Sequence, residues 1–126
     1  MKLIYCTFLA LLLATAATAN NCDTTTAQQE MNRCADLEFQ AVDAELNDAY
    51  ADAVAYAREL DDAGAGGVED RLRIAQRAWV AYRDAACDAD AFLFDGGSMM
   101  PLIYSSCLSR LTELRRADLI TFASQY

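Results

Sequence analysis

Apolar residues recur along most of this chain in alternating steps of four and three, the signature of helices that each bury one face. The first run comprises Ala35, Phe39, Val42, Leu46, Ala49, Ala53, Tyr56 and Leu60. Asp36, Asp43, Asp48, Asp52 and Glu59 fall away from it. Thr25 with Gln28, or Thr26 with Gln29, can form a capping box at its start. It ends at Asp61–Gly67, where Gly64, Gly66 and Gly67 would be costly inside a helix.

A second helix is predicted from Val68 to Phe94, with Leu72, Ala75, Trp79, Tyr82, Ala86, Ala89 and Leu93 on its inner face. Asp95-Gly96-Gly97-Ser98 breaks it. Ser98 or Met100 can cap a third helix running to Ala123, with Pro101 in its first turn. Its apolar pattern is broader: Tyr104, Cys107, Leu108, Leu111, Leu114, Leu119 and Phe122. No alternating strand pattern or internal repeat interrupts these three runs. Short connections between long helices make antiparallel neighbours, so the expected fold is an all-α, up-down-up bundle of three helices.

The residues ahead of this pattern read as an export signal. Met1–Lys2 is a short positive start, Leu3–Leu13 an apolar core, and Ala17-Thr18-Ala19 a small-x-small cleavage motif. The apolar run is too short for a transmembrane helix, which takes about 18 or more residues. Ala19-Asn20-Asn21 before Cys22 does not resemble a lipid-attachment approach. The expectation is a signal peptide over 1–19, one helical domain over 20–126, and a periplasmic or secreted location without membrane insertion.

Cysteine usage fits that compartment. Cys6 leaves with the signal, and Cys22, Cys34, Cys87 and Cys107 remain, an even count that reads as two disulfides. With one turn centred near Gly97, Cys87 and Cys107 lie level on adjacent helices. Cys34 falls about eight residues further along, roughly 12 Å at the helical rise. A disulfide tolerates Cα separations of about 7 Å. The preferred pairing is therefore Cys87–Cys107 with Cys22–Cys34. The rival, Cys22–Cys87 with Cys34–Cys107, requires the first helix to kink or slide by about two turns.

Charge is strongly acidic, with a formal net charge of −9, and it is unevenly placed. Residues 20–70 carry 13 acids and two arginines, whereas residues 71–126 carry six acids and seven arginines. Such a field disfavours nucleic acid and anionic lipid and favours a basic partner.

Catalytic chemistry finds no support. Histidine is absent, which excludes Ser-His-Asp and Cys-His arrangements. Asp84 with Asp88 is a carboxylate pair of a kind that arises by chance on an acidic helix. Asp88-Ala-Asp90 begins like a calcium loop, but Ala91-Phe92-Leu93 lacks the following ligands and glycine. Gly64–Gly67 follows no strand and lacks the lysine of a phosphate loop. No enzyme activity, cofactor or metal site is expected.

The densest stretch is Gln76–Cys87, QRAWVAYRDAAC. Trp79 and Tyr82 are read as core residues, and Arg77 and Arg83 as ion-pair partners of the first helix. Asp52 lies near Arg77 in this reading, and Asp43, Glu45 and Asp48 near Arg83. The candidate binding site is the turn Asp95, Gly96, Gly97, Ser98, Met99 and Met100, because loops on rigid scaffolds carry function and exposed methionines adapt to partners.

These segments also carry a family resemblance. QEMNRCA (Gln29–Ala35), AELNDAY (Ala44–Tyr50), AQRAWVAYRDAAC (Ala75–Cys87) and GGSMMPLIYSSCL (Gly96–Leu108) resemble the small exported domains grouped with the lysozyme inhibitor LprI. The resemblance covers nearly all of the chain beyond the signal. It implies a helical, disulfide-bonded exported protein that inhibits lysozyme-type muramidases, with a basic lysozyme-like enzyme as partner. The alternative is a non-enzymatic envelope module that binds another envelope protein.

Overall fold

The computed structural model describes residues 22–124, and the signal-peptide reading of residues 1–19 lies outside them. Three helices follow one another: α1 (Gln28–Asp62), α2 (Val68–Phe92) and α3 (Met100–Ala123). They pack as the expected up-down-up bundle, so α1 and α3 run parallel and share the largest contact, with α2 antiparallel to both. Two disulfides hold it, Cys22–Cys34 and Cys87–Cys107, with Cα separations of 5.6 and 5.5 Å. Cys87 and Cys107 are thus level on α2 and α3, as the helical rise predicts. Bridging the sequence separation of 20 between Cys87 and Cys107 restricts the unfolded chain, an effect of about 3 kcal/mol for such a loop.

The α1 face follows the predicted seam, with Val54 and Ala57 buried beside it. Ala35, Leu46, Ala49 and Ala53 are buried, and Phe39, Val42, Tyr56 and Leu60 are half-buried. Two apolar clusters result. One gathers Leu46, Ala49, Ala53, Val54, Ala57, Leu72 and Leu119, with Tyr50, Trp79 and Phe122 packed against it. The other surrounds the Cys87–Cys107 bridge with Leu108, Phe39, Tyr104 and Leu111.

The α2 face differs from the expectation. Its buried residues are Leu72, Gln76, Arg83, Cys87 and Ala91. Ala75 and Ala89 are exposed, Tyr82 is 61% exposed and Leu93 81%. The fully buried Cys87 fixes the rotation of α2 by pointing at α3. Arg83 and Ala91 then follow one turn to either side on that face. The hydrophobic pattern misreads the helix because its inner face carries two polar side chains, each satisfied. Gln76 Oε1 accepts from Arg115 Nε at 2.9 Å, and Arg83 is paired as described below. In α3, Leu114 is likewise exposed, while Ser105, Ser109 and Thr112 are buried.

The helix starts also depart from the sequence reading. No capping box forms on α1: its N-cap is Ala27, without a side-chain bond. Thr25 instead accepts from the Ala27 N–H at 3.4 Å. Neither Ser98 nor Met100 caps α3, whose N-cap is Met99, with Pro101 in the first turn. The cap of α2 comes from another helix. Asp61 of α1 accepts from the Val68 and Glu69 N–H groups at 2.8 and 3.1 Å, satisfying two orphan donors at the α2 N-terminus. Gly67 makes this geometry possible by adopting a left-handed φ of 81° just before the helix.

Candidate functional site: the tip between the second and third helices

The turn from α2 to α3 is the most exposed structured part of the bundle. Asp95, Gly96, Gly97, Ser98 and Met99 are all exposed, and Met100 is half-buried. Leu93, Phe94 and Met99 add large apolar surface beside them, at 81%, 38% and 41% exposure. All six sequence-predicted tip residues therefore lie together at one end of the molecule. Leu93 and Phe94 belong to the same surface. Both fall inside the second helix predicted from the pattern, but α2 ends two residues earlier, at Phe92.

The tip is exposed yet ordered by its own backbone. Phe94, Asp95 and Gly97 donate to the carbonyls of Ala91, Phe92 and Phe94 at 2.9, 3.1 and 2.9 Å, and Met100 donates to Gly97 at 3.2 Å. Gly96 has φ +73°, a region that disfavours side chains. A Cβ on Gly97 would stand 3.0 Å from the Phe94 carbonyl oxygen. The chain path thus favours glycine at 96 by its φ and at 97 by the close Phe94 carbonyl. From α1, Asn32 Nδ2 donates to the Ser98 carbonyl at 3.0 Å, tying the tip between α2 and α3 to the first helix. Cys87–Cys107 braces α2 against α3 about two turns below.

The Cys22–Cys34 bridge lies at this same end. It borders a shallow cleft of about 550 Å³ lined by Cys22, Met31, Leu37, Glu38, Leu102 and Ser106. The cleft continues along the α1/α3 face past Val42, Arg110 and Glu113, and further on past Glu45, Asp48 and Asp52. No α2 residue lines it. Arg116 crosses its floor, donating to Glu113 at 2.6 Å and standing 3.5 Å from Glu45. This is the acidic side of the molecule. Among the described residues, no group of three or more potential metal-ligating side chains occurs, and no helix is long and apolar enough to cross a membrane.

The residues singled out in Gln76–Cys87 lie away from the tip. Trp79 is half-buried against the larger cluster. Arg83, only 9% exposed, sits between Trp79 and Phe39, with its guanidinium carbon 5.1 and 5.3 Å from the two ring centroids. It donates to Asp43 at 3.1 Å, Asp84 at 2.9 Å and Thr112 at 3.4 Å, thereby linking all three helices. Arg77 is exposed and makes no ion pair among the described residues; its expected partner Asp52 lies on the cleft side of α1. Tyr82 is on the solvent face.

The lysozyme inhibitor LprI family model matches residues 19–119. The chain belongs to the LprI family. A relative from Rhizobium meliloti (strain 1021), described as an uncharacterized protein, is 41% identical over 123 residues, covering 88% of each chain. No solved structure matches. The segments Gln29–Ala35, Ala44–Tyr50, Ala75–Cys87 and Gly96–Leu108 all lie within the matched residues. A disulfide-bonded member of an inhibitor family points to a location outside the cytoplasm and away from enzymatic function.

Proposed function

We propose that this protein inhibits lysozyme-type muramidases by placing the Asp95–Met100 tip in the sugar-binding cleft of the enzyme. The observation that carries this reading is a protruding, braced turn with apolar side chains exposed around it, on a chain of the LprI family. A substrate cleft is concave and holds few polar groups among apolar walls. Leu93, Phe94 and Met99 supply the apolar contact, and Ser98 supplies a polar group that can engage the catalytic carboxylates. Because the tip is already tied by Asn32 and its own turn, little ordering entropy is lost on binding.

The acidic α1/α3 face adds long-range attraction. Muramidases of this type are often strongly basic, and Glu38, Glu45, Asp48 and Asp52 form one side of an exposed negative surface. Such a field raises the association rate and makes it sensitive to salt. The test mixes mature protein with several lysozymes and follows lysis of cell-wall suspensions. Inhibition at micromolar protein, weakening as salt rises, is the expected result. No inhibition at that concentration, together with no binding at low salt, contradicts the proposal.

A further inference from the structure

The solvent face of α2 is better suited to another helix than to water. Ile74, Ala78, Ala81, Ala85 and Phe92 line its outer side, opposite the buried Leu72, Gln76, Arg83 and Cys87. Every one of them is exposed, Ile74 by 59% and Phe92 by 66%, with Tyr82 and Ala89 beside them. The positions recur in steps of four, three, four and seven, the seam spacing of paired helices with Asp88 at the intervening position, over about 27 Å of helix. Two bulky ends enclose a centre of alanines, which lets a second helix approach closely.

We propose that this face pairs with the same face of a second copy, the two α2 helices running antiparallel about a two-fold axis beside Arg83. The pattern is self-complementary in that arrangement. Ile74 meets Phe92 of the second copy at both ends, and Ala81 meets Ala85 at the centre. A two-fold axis in the interface plane keeps each flank of the stripe on its own side. Arg77 and Asp88 lie on the same flank, both exposed, and neither makes an ion pair among the described residues. They are 11 residues apart, about 16 Å along one helix, and so do not reach each other. Pairing brings Arg77 of each copy level with Asp88 of the other. Ala78 leaves room for that contact, which forms twice. The assembled dimer presents one Asp95–Met100 tip at each end and does not depend on what the tip binds.

A single helix pair is at the small end of stable interfaces, so association on the order of micromolar to tens of micromolar is expected. Sedimentation of the mature protein from about 1 µM to 1 mM at low salt tests it. The wild type should pass from monomer to dimer across that range. Ala85→Arg, at an exposed helical site, should weaken association about 100-fold or more while leaving the melting temperature unchanged. Arg77→Asp should weaken it about 10-fold, and the double change Arg77→Asp with Asp88→Arg should restore it. A wild type that stays monomeric to 1 mM overturns the proposal. So does a dimer that Ala85→Arg leaves intact.

Discussion

Arg83 and Asp43 meet at 3.1 Å across the α1–α2 interface, and the arginine is buried while the aspartate is partly open to water. The guanidinium lies between Phe39, from one apolar cluster, and Trp79, from the other. A charge in this position is tolerated because it is paired with two carboxylates and stacked on two ring faces. Removing it takes away the ring-stacked guanidinium and leaves a gap between the clusters, while Asp43 and Asp84 stay in reach of water. Arg83→Ala should therefore cost about 2 kcal/mol, mostly lost packing and ring stacking, lowering the melting temperature by about 10 °C. Arg83→Lys should recover little of this, since an ammonium has neither the planar fork nor the stacking surface. Thermal unfolding of both variants measures the effect. A lysine variant as stable as the wild type would show that charge alone is what matters there.

Asp61 offers a separable test of how α1 and α2 are joined. It accepts from two backbone N–H groups at the start of α2 and is not part of either apolar cluster. Asp61→Ala should cost about 1 kcal/mol, in the usual range for a lost helix cap. Asp61→Asn should retain about half of that contribution, because the amide still offers one acceptor. Denaturant titration with an unchanged slope would assign the loss to stability rather than to a looser native state.

Glu69 predicts a pH dependence. Hydrogen bonds from Arg58 first and Arg73 second hold its carboxyl below the ordinary carboxylate range. A carboxylate whose folded pKa is depressed contributes stability above its unfolded value, near 4.3, and loses it as pH falls through the folded value. Wild type should therefore exceed Glu69→Gln in stability at pH 7, with the difference fading below about pH 4. The exposed setting of Arg58 keeps the effect small and salt-sensitive. A difference that persists at pH 2 would assign the effect to packing rather than charge.

How much of this was legible in the sequence differs between elements. The α1 seam is purely apolar, so its periodicity alone identifies the buried face. The disulfide pairing followed from helix rise and turn position, because four cysteines leave few geometrically possible partners. The α2 face was not legible. Its inner side carries Gln76 and Arg83, whose burial depends on Arg115, Asp43, Thr112 and the Phe39 ring supplied by other helices, with Trp79 of α2 on the other side of the guanidinium. Its outer side carries Ala75, Tyr82 and Ala89, which count as apolar in any periodicity. The tip was visible as a Gly-Gly-Ser break, but its anchor to Asn32 joins residues 66 apart in the chain. The Asp61 cap was missed for a similar reason, since a cap is normally sought immediately before its own helix.

A lysozyme lysis assay comparing wild type with Met99→Asp tests inhibition through the tip most directly. Met99 is exposed, so the substitution leaves the fold intact while placing a charge on the apolar surface of the tip. The account predicts micromolar inhibition by wild type, weakened about 10-fold or more by Met99→Asp at an unchanged melting temperature. Equal inhibition by the two proteins would contradict it.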